Sequence, residues 1–336
     1  MEYSAVEVQK FEPAAPLSGT KLARRTTREP GAGEVQVQMR LAPINPSDVF
    51  SLMGVYPPMS KDLPAVPGFD GMGVITKVGA GVEGLAVGQR VTARPWPAAD
   101  GNGSWQQYVT LAAKRVLPVP DAVSDEAAAQ FYINPVTVVG LLEAAAVPKG
   151  GHLVVTAAGS TLSKMLLSMA KAQGVKTIGV VRREAQKQEV LDAGAAYAVC
   201  SATEDLAARV KEITGGAGAD AAVDSVAGPM CEQLGDAMKT GGTIIIYGLM
   251  GGMNFTGSAL AALFNQVRLR PFQSKGVWHP WRGLSADPTA RGAAAFAPLP
   301  TANITPSPAA LVLCTTLHEN KLKDTHTHTH THTHTR

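Results

Sequence analysis

Four side chains in the middle of the sequence are suited to binding phosphate. Ser160 and Ser163 lie in and just behind a turn of small residues that begins at Ala157, and Arg182 and Arg183 stand side by side farther along. Small residues in a turn let backbone N–H groups approach a phosphate. Two cations just ahead of a helix oppose its dipole by roughly 0.3–1 kcal/mol each, and a bound anion removes that cost. These positions indicate a ligand that carries phosphate at two points.

The same residues lie in a segment whose pattern is typical of one βαβ unit. The apolar run from Leu153 to Thr156 predicts a buried parallel strand, and Val175 to Val181 predicts a second one. Between them we expect a helix that ends at Gly174. Its apolar positions at helical spacing are Leu162, Met165, Leu166, Met169 and Ala170. In such a unit the first turn and the helix N-terminus direct N–H groups at one place, which suits a pyrophosphate.

The two ends of this unit indicate which dinucleotide it binds. The turn keeps one glycine, Gly159, and has Ser160 and Ser163 where the dinucleotide fingerprint more often has glycine, so the glycine pattern alone is a weak signal. The second strand ends in Arg182 and Arg183 instead of the acidic residue that would bind a ribose 2′-hydroxyl. Since the 2′-phosphate of NADP fits two arginines, we expect NADPH as the cofactor. The alternative is that both arginines are solvated surface residues.

Composition excludes several classes of protein. The 336 residues, 45% of them hydrophobic, are enough for two modest domains or one large one with a full core. A net charge of +3 does not argue for nucleic acid or a membrane as a partner, and no apolar run is long enough to span a bilayer. The chain passes from Met1 into a strand-like segment without a targeting signal, and the cysteines, Cys200, Cys231 and Cys314, form no motif. We expect reduced thiols in a cytoplasmic protein that acts on a small molecule, with an organelle as the alternative compartment.

The residue composition and the pattern of predicted strands and helices change near residues 120 and 272. Up to residue 120, short Val- and Thr-rich segments separated by Gly and Pro predict antiparallel strands in a barrel-like domain. Helices are expected to begin near Asp48 and Ser124, where polar and acidic residues favour N-termini. Over residues 121–272, strands and helices alternate, which predicts a doubly wound parallel sheet in an α/β fold. The further predicted strands run from Tyr197 to Cys200, Asp220 to Val226, Thr243 to Tyr247 and Val267 to Phe272, and the helices from Glu184 to Asp192, Leu206 to Ile213 and Met230 to Met238.

Residues 273–336 form a divergent segment that we expect to be a disordered tail. It is rich in Ala, Pro and small polar residues without sustained periodicity, and it ends in alternating Thr and His from Thr325 to Thr335. Such a low-complexity end cannot bury enough apolar surface to offset its ordering entropy. The alternative is that its histidines chelate a metal, as an unstructured tag does.

Short motifs distributed over residues 1–272 carry a family resemblance. They are PINPSD from Pro43, GVYPP from Gly54, LPAVPGFDGMG from Leu63, GSWQQYV from Gly103, INPVT from Ile133, VVRR from Val180 and YGLM from Tyr247. Together they resemble the medium-chain dehydrogenase/reductase superfamily, and within it the zinc-independent enoyl-thioester reductases, with the quinone oxidoreductases as near relatives. The resemblance implies a GroES-like β-barrel domain over residues 1–120 and a Rossmann domain that binds NADP over residues 121–272. It also implies a homodimer formed through the strand at Val267 to Phe272.

The resemblance bears on metal binding as well. Metal-dependent members hold a catalytic zinc with a Cys, a His followed by a Glu, and a second Cys. The matching positions here are Asn45, Phe69 with Asp70, and Ile133. Phenylalanine and isoleucine cannot bind zinc, and a catalytic zinc site needs three protein ligands. We therefore expect no metal, so that a positioned O–H donor must stabilise the enolate formed by hydride addition.

Tyr56 is the candidate for that donor. It matches the tyrosine that enoyl-thioester reductases place beside the substrate, where it orients the thioester and aids proton delivery. Quinone reductases of the superfamily tend to have a tyrosine here too, so Tyr56 does not separate the two activities. Alternatively, Tyr56 is a loop residue that packs beside Pro57 and Pro58.

The resemblance assigns a further set of residues to the cofactor. Asn45 supports the loop backbone beside the nicotinamide, and the others contact the nicotinamide, its ribose, the pyrophosphate or the 2′-phosphate. The set is Asn45, Asn134, Thr137, Gly159, Ser160, Thr161, Leu162, Arg182, Arg183, Tyr247, Gly248 and Met250. Thr137 and Tyr247 have ordinary helix and strand-end roles as alternatives. His152 is interpreted as structural, and Asp224 has no role in this interpretation.

The expected function is NADPH-dependent, zinc-independent reduction of an α,β-unsaturated carbonyl compound, a 2-enoyl thioester. One alternative is an NADPH:quinone oxidoreductase. Another is a degenerate NADPH-binding paralogue with a truncated catalytic domain, because the residues after 272 match the family only faintly, at GVWHPW from Gly276.

Overall fold

The computed structural model describes residues 1–56, 60–254 and 256–272. These residues form two compact units, residues 1–133 and residues 134–272. Pro57, Pro58, Cys314, the GVWHPW motif and the predicted tail lie outside the described residues, so the predictions made for them stay predictions.

The first unit is built on antiparallel strands. They are β1 (Glu2–Val8), β2 (Thr20–Thr26), β3 (Glu34–Leu41), β4 (Met72–Val78), β5 (Arg90–Ala93), β6 (Tyr108–Ala112) and β7 (Val116–Pro118). Strands β1 and β2 pair with each other, and the other five form a sheet in the order β6-β3-β4-β5-β7. Val35 and Val37 of β3 are fully buried and pack in one cluster with Trp96. The indole N–H of Trp96 donates to the Gly71 carbonyl at 2.9 Å, so the largest side chain of this core is also satisfied as a donor.

The first unit also contains two short α-helices, and both begin as the sequence predicts. Helix α1 (Pro46–Leu52) starts after Asn45, and the Asp48 carboxylate accepts from the Asn45 backbone N–H at 2.7 Å. Helix α2 (Asp125–Ala129) starts after Ser124, whose hydroxyl accepts from the Ala127 N–H at 3.2 Å. Each bond satisfies a backbone donor that has no partner within a helix.

The second unit is a parallel sheet covered by helices. Its strands are β8 (His152–Val155), β9 (Lys176–Val181), β10 (Tyr197–Cys200), β11 (Ala219–Asp224), β12 (Met238–Ile246) and β13 (Arg268–Pro271). Its helices are α3 (Ile133–Ala145), α4 (Thr161–Ala172), α5 (Lys187–Asp192), α6 (Leu206–Ile213), α7 (Met230–Ala237) and α8 (Ala259–Leu263). The strand order β10-β9-β8-β11-β12-β13 reverses direction between β8 and β11, the point at which sheets of this kind bind ligands.

The pleat of β8 explains why helices cover both faces of this sheet. Leu153 and Val155 enter a cluster with residues of α3 and α4, whereas Val154 enters a second cluster with residues of α6 and α7. All three are fully buried, and a strand buried on both faces is apolar without alternation. The predicted α/β architecture, a barrel-like part followed by a doubly wound parallel sheet, is confirmed. No helix in the described ranges is both long and apolar enough to cross a bilayer.

Candidate functional site

The turn after β8 presents free backbone donors at the N-terminus of α4. The Ser160 hydroxyl accepts from the Ser163 N–H at 3.2 Å and lies 3.0 Å from the Ser163 hydroxyl. The N–H groups of Thr161 and Leu162, the first two residues of α4, have no acceptor among the described residues. Two free donors at the positive end of a twelve-residue helix suit a phosphate.

The residue with unusual backbone geometry in this turn is an alanine. Ala157 has φ of +45°, in the left-handed region that favours glycine, whereas Gly159 does not adopt a positive φ. A Cβ at Gly159 would lie 3.2 Å from the Gln186 side-chain nitrogen, so a side chain covers that glycine. Glycine counting in the sequence could not locate the left-handed position, because the position is occupied by another residue type.

Arg182 and Arg183 follow β9, the strand next to β8, and both are exposed. Neither guanidinium has a hydrogen bond or ion pair within the described residues. Neighbouring cations are paired instead. Lys187 contacts Glu184 at 2.9 Å and Glu204 at 2.6 Å, Arg209 contacts Glu204 at 3.1 Å, and Lys164 contacts Glu189. The two arginines at the carboxyl end of β9 thus remain available for an anion.

Residues that follow β12 reach the same turn. Burial raises the pKa of Tyr247, and the neighbouring Ser163 hydroxyl opposes the shift. Gly248 has no room for a side chain, since a Cβ there would lie 2.6 Å from the Ser225 carbonyl oxygen. Met250 is exposed. The structure therefore brings Tyr247 to Ser163, while Met250 is accessible to a ligand.

Asn134 and Thr137 lie in the first turns of α3. Asn134 is buried and Thr137 is half-buried. No hydrogen bond between either side chain and the turn after β8 occurs in the described part of the chain. Their place on α3 could be read from the sequence only by family resemblance.

The first unit contains a pair of buried carboxyl groups, Asp48 and Asp70, whose pairing the sequence did not indicate. Asp48 accepts from the backbone N–H groups of Asn45 at 2.7 Å and Phe69 at 3.3 Å. Asp70 accepts from the Asn45 side chain at 3.2 Å and from the Ile133 N–H at 3.2 Å. Burial raises the pKa of Asp48 to about 7, and burial with the charge of Asp48 raises the pKa of Asp70 to about 8. At neutral pH the pair retains protons that exposed carboxyl groups have lost.

Tyr56 is half-buried beside this pair. Its ring meets the ring of Phe69 edge-on, with centroids 5.6 Å apart. Burial raises the pKa of Tyr56, and the charge of Asp48 raises it further. The phenol therefore remains protonated at neutral pH and can donate a hydrogen bond.

The positions that match zinc ligands in the resemblance are engaged in other contacts. Asn45 donates to Asp70, Phe69 packs against Tyr56, and the Ile133 backbone donates to Asp70. Gly68 has φ of +104°, and a Cβ there would lie 2.3 Å from the Ser104 hydroxyl, so a glycine is required where the chain turns toward Phe69. In the described ranges, no group of three or more His, Cys, Asp and Glu residues is arranged to hold a metal ion. These residue types do not fit a zinc site.

Comparisons with known proteins agree with this architecture. Residues 31–121 match the alcohol dehydrogenase GroES-like domain, and residues 161–286 match the zinc-binding dehydrogenase family. The chain is 35% identical over 225 residues to quinone oxidoreductase of Salmonella typhimurium, covering 66% of this chain and 67% of that protein. It is 30% identical over 249 residues to the mitochondrial enoyl-[acyl-carrier-protein] reductase of Caenorhabditis elegans, covering 73% and 70%.

Solved structures are similar over most of the chain. Escherichia coli quinone oxidoreductase complexed with NADPH superposes with a TM-score of 0.73 at 25% identity, covering 88% of this chain and 89% of that one. A mycobacterial protein complexed with NADPH superposes with a TM-score of 0.74 at 25% identity, covering 95% of both chains. The predicted pairing of a GroES-like domain with a Rossmann sheet is thereby confirmed.

Proposed function

Because the chain belongs to the medium-chain dehydrogenase/reductase superfamily, we propose that it is an NADPH-dependent oxidoreductase. Its proposed substrate is an α,β-unsaturated carbonyl compound, specifically a 2-enoyl thioester, and the carbon–carbon double bond is reduced. The observation that carries the cofactor assignment is the pair Arg182 and Arg183, two exposed guanidinium groups without partners among the described residues, next to paired cations.

The residues of the second unit fit NADPH at two points. The free N–H groups of Thr161 and Leu162 would bind the pyrophosphate, and the two arginines would bind the 2′-phosphate. The remaining proposed cofactor residues are Asn45, Asn134, Thr137, Gly159, Ser160, Tyr247, Gly248 and Met250. When bound, NADPH supplies a hydride to the β-carbon of the substrate.

Tyr56 is the proposed catalytic residue. An ordinary phenol is already protonated at pH 7, and burial raises the pKa of Tyr56 further, so Tyr56 can donate a hydrogen bond to the thioester carbonyl oxygen. That oxygen gains negative charge as the β-carbon is reduced, and a positioned donor stabilises the developing charge. Asn45 immediately precedes α1. Its backbone N–H donates to Asp48 and its side chain donates to Asp70, and these two bonds hold the start of the helix.

A second candidate activity is quinone reduction, and the 35% identity to the Salmonella quinone oxidoreductase favours it. We would measure NADPH absorbance loss with crotonyl-CoA and, separately, with a small quinone. Turnover of crotonyl-CoA at a higher kcat/KM than the quinone supports the enoyl thioester. Turnover of the quinone alone reverses the order of the two candidates.

The third possibility, an inactive NADPH-binding paralogue, is separated by a thermal-shift titration. A ligand that binds only the folded state stabilises it by RT ln(1 + [L]/Kd), about 2.7 kcal/mol at a hundred times Kd. Stabilisation by NADPH without turnover of either substrate identifies the inactive paralogue. If NADPH does not stabilise the protein, the cofactor assignment itself is wrong.

We also propose a homodimer formed through β13. This strand ends the six-stranded sheet among the described strands, and its four residues are exposed. An exposed sheet edge pairs readily with a second strand. Light scattering should give twice the chain mass of 35.0 kDa, and a monomer mass would contradict the proposal.

A further inference from the structure

Asp224 is the last residue of β11, and its fully buried carboxylate accepts four hydrogen bonds. Its Oδ1 accepts from the Thr156 hydroxyl at 2.7 Å and the Val226 N–H at 2.9 Å. Its Oδ2 accepts from the Ala227 N–H at 3.0 Å and the Cys231 thiol at 3.4 Å. A buried carboxylate is costly unless donors satisfy its oxygens, and these four hydrogen bonds do so.

The backbone of Asp224 joins a third segment. Its carbonyl oxygen accepts from the N–H groups of Tyr247 at 2.8 Å and Gly248 at 3.4 Å. Asp224 therefore binds the segments that follow β8, β11 and β12 at their carboxyl ends. The first and third of these segments contain proposed cofactor residues, and ligands of doubly wound sheets bind at this edge.

The connection continues from Thr156 to the start of α4. The Thr156 hydroxyl accepts from the Ser225 N–H at 3.0 Å, which fixes its orientation toward Asp224. The Thr156 carbonyl accepts from the Ser163 hydroxyl at 3.4 Å, and Ser163 in turn bonds Ser160. A chain of hydrogen bonds thus runs from the buried carboxylate to the residue that precedes the two free N–H groups of α4.

We propose that Asp224 and Thr156 form a positioning pair that holds the pyrophosphate-binding turn and the segment at Tyr247 and Gly248 in the geometry NADPH requires. The inference rests on the proposed cofactor and adds residues to which the family resemblance gave no role. Neither side chain touches the cofactor in this proposal. Both act through the backbone donors and side chains that do.

A carboxylate is needed at this position because both of its oxygens accept two bonds. An amide of the same shape offers one oxygen, so Asp224→Asn leaves two of the four donors facing an NH₂ group. The thiol is a true donor here, since burial and the charge of Asp224 raise the pKa of Cys231 to about 12. A buried donor left without an acceptor costs more free energy than a hydrogen bond normally contributes. The segments after β8 and β12 should therefore shift.

The test measures NADPH affinity by fluorescence titration and the KM values for NADPH and for the carbonyl substrate. Asp224→Asn and Thr156→Val should each weaken NADPH binding about ten-fold or more, which corresponds to about 1.4 kcal/mol. Thr156→Ser keeps the hydroxyl and should bind NADPH within two-fold of the unchanged protein. The KM of the carbonyl substrate should stay constant, which a general loss of structure would not produce.

Asp220→Asn is the matched control. Asp220 lies on the same strand at the opposite end of the sheet, where it accepts from the His152 N–H at 2.7 Å and pairs with Lys239. This variant should retain NADPH affinity even where its melting temperature falls. If Asp224→Asn does not fold, the valine and serine variants at Thr156 decide the question. Unchanged NADPH affinity in folded Thr156→Val overturns the proposal.

Hydrogen exchange without cofactor separates this proposal from the proposed function. Amides of residues 157–163 and 247–250 should exchange faster in Thr156→Val than in Thr156→Ser or Asp220→Asn. Failure of the unchanged protein to bind NADPH would refute the cofactor assignment and leave this loop measurement interpretable. Equal exchange in all the variants would refute the positioning pair, whatever the cofactor.

Discussion

The ring of Phe69 meets the ring of Tyr56 at an interplanar angle of 70°. By the family resemblance, Phe69 stands at the position of a catalytic-zinc ligand. Edge-to-face packing of two rings stabilises both side chains and fixes the direction of the phenol. The Phe69 backbone is in turn held by its N–H bond to Asp48. The aromatic contact thus holds the ring of the proposed hydrogen-bond donor, Tyr56, from the position that the resemblance assigns to a zinc ligand.

Removal of the Tyr56 hydroxyl should lower turnover and leave cofactor binding intact. Tyr56→Phe keeps the ring that packs against Phe69, so the loss is confined to the O–H donor. We expect kcat to fall about a hundred-fold, a typical contribution of a positioned acid, while the Kd of NADPH stays within two-fold. Tyr108→Phe is the control, because Tyr108 also packs edge-on, against Tyr3, at 5.8 Å. Equal activity of the two variants would remove Tyr56 from the mechanism.

The arginine pair should determine the preference for NADPH over NADH. Replacing Arg182 and Arg183 together by alanine removes two charged hydrogen-bond donors, and we expect the Kd of NADPH to rise about ten-fold or more. NADH lacks the 2′-phosphate, so its Kd should not change. Arg209→Ala is the control, since Arg209 is already paired with Glu204 and Glu212. An equal rise in the Kd values of NADPH and NADH would assign the two arginines to a structural role.

Stability should decrease as the pH rises through the range in which Asp48 and Asp70 ionise. Both pKa values are raised above the ordinary value of 3.8, to about 7 and about 8, so the folded state binds protons that the unfolded state has released. The free energy of unfolding therefore falls between about pH 4 and pH 8, by about 1.4 kcal/mol per pH unit for each proton fully retained. The groups that face this pair include Tyr56 and Tyr132.

Asp70→Asn should reduce that slope, as measured by urea unfolding at pH 5, 6, 7 and 8. Asp220→Asn is the control. Burial raises the pKa of Asp220, but hydrogen bonds from Lys239 and from the His152 backbone lower it overall. Its contribution is lost only as the pH falls through that lowered pKa, so its removal should leave the slope above pH 5 unchanged. A slope unaffected by Asp70→Asn would mean that this carboxyl is ionised throughout.

Glycine at position 157 should stabilise the protein. The left-handed conformation of Ala157 costs an L-residue roughly 1 kcal/mol, and Ala157→Gly removes that cost. Ala158→Gly is the matched control at the next residue. Ala158 is fully buried without a positive φ, so its replacement should destabilise the fold by about 1 kcal/mol. Chemical denaturation gives the change in the free energy of unfolding for each variant. A destabilised Ala157→Gly would contradict the strain argument.

Much of the second unit could be predicted because its strands and helices have strong local patterns. The strand predicted from Leu153 to Thr156 is β8, one residue earlier, and the helix ending near Gly174 is α4, with φ of +75° at Gly174. The start of β12 was not predicted. This strand begins at Met238 and passes through a Gly-Gly pair, which local propensity disfavours but its pairing with β11 and β13 stabilises.

The candidate site was harder to predict, since its contacts join residues distant in sequence. The two arginines proposed to bind the 2′-phosphate, Arg182 and Arg183, follow directly from the end of a predicted strand. By contrast, the contact of Asp70 with Ile133 and that of Asp224 with Thr156 each link residues more than sixty positions apart. A single sequence contains no signal for such pairs, so both buried carboxylates became interpretable only with the fold.

The position of β13 constrains how copies of the chain can assemble. The sheet has two open edges among the described strands, at β10 and β13. If β13 pairs with β13 of another copy, the contact is isologous and closes at two chains, whereas a β13-to-β10 contact would leave an edge free at each end and extend into a filament. Arg268 and Arg270 place like charges along β13, so association through it should strengthen with ionic strength. Light scattering at rising salt and protein concentration would identify the closed arrangement if the mass does not increase beyond that of two chains.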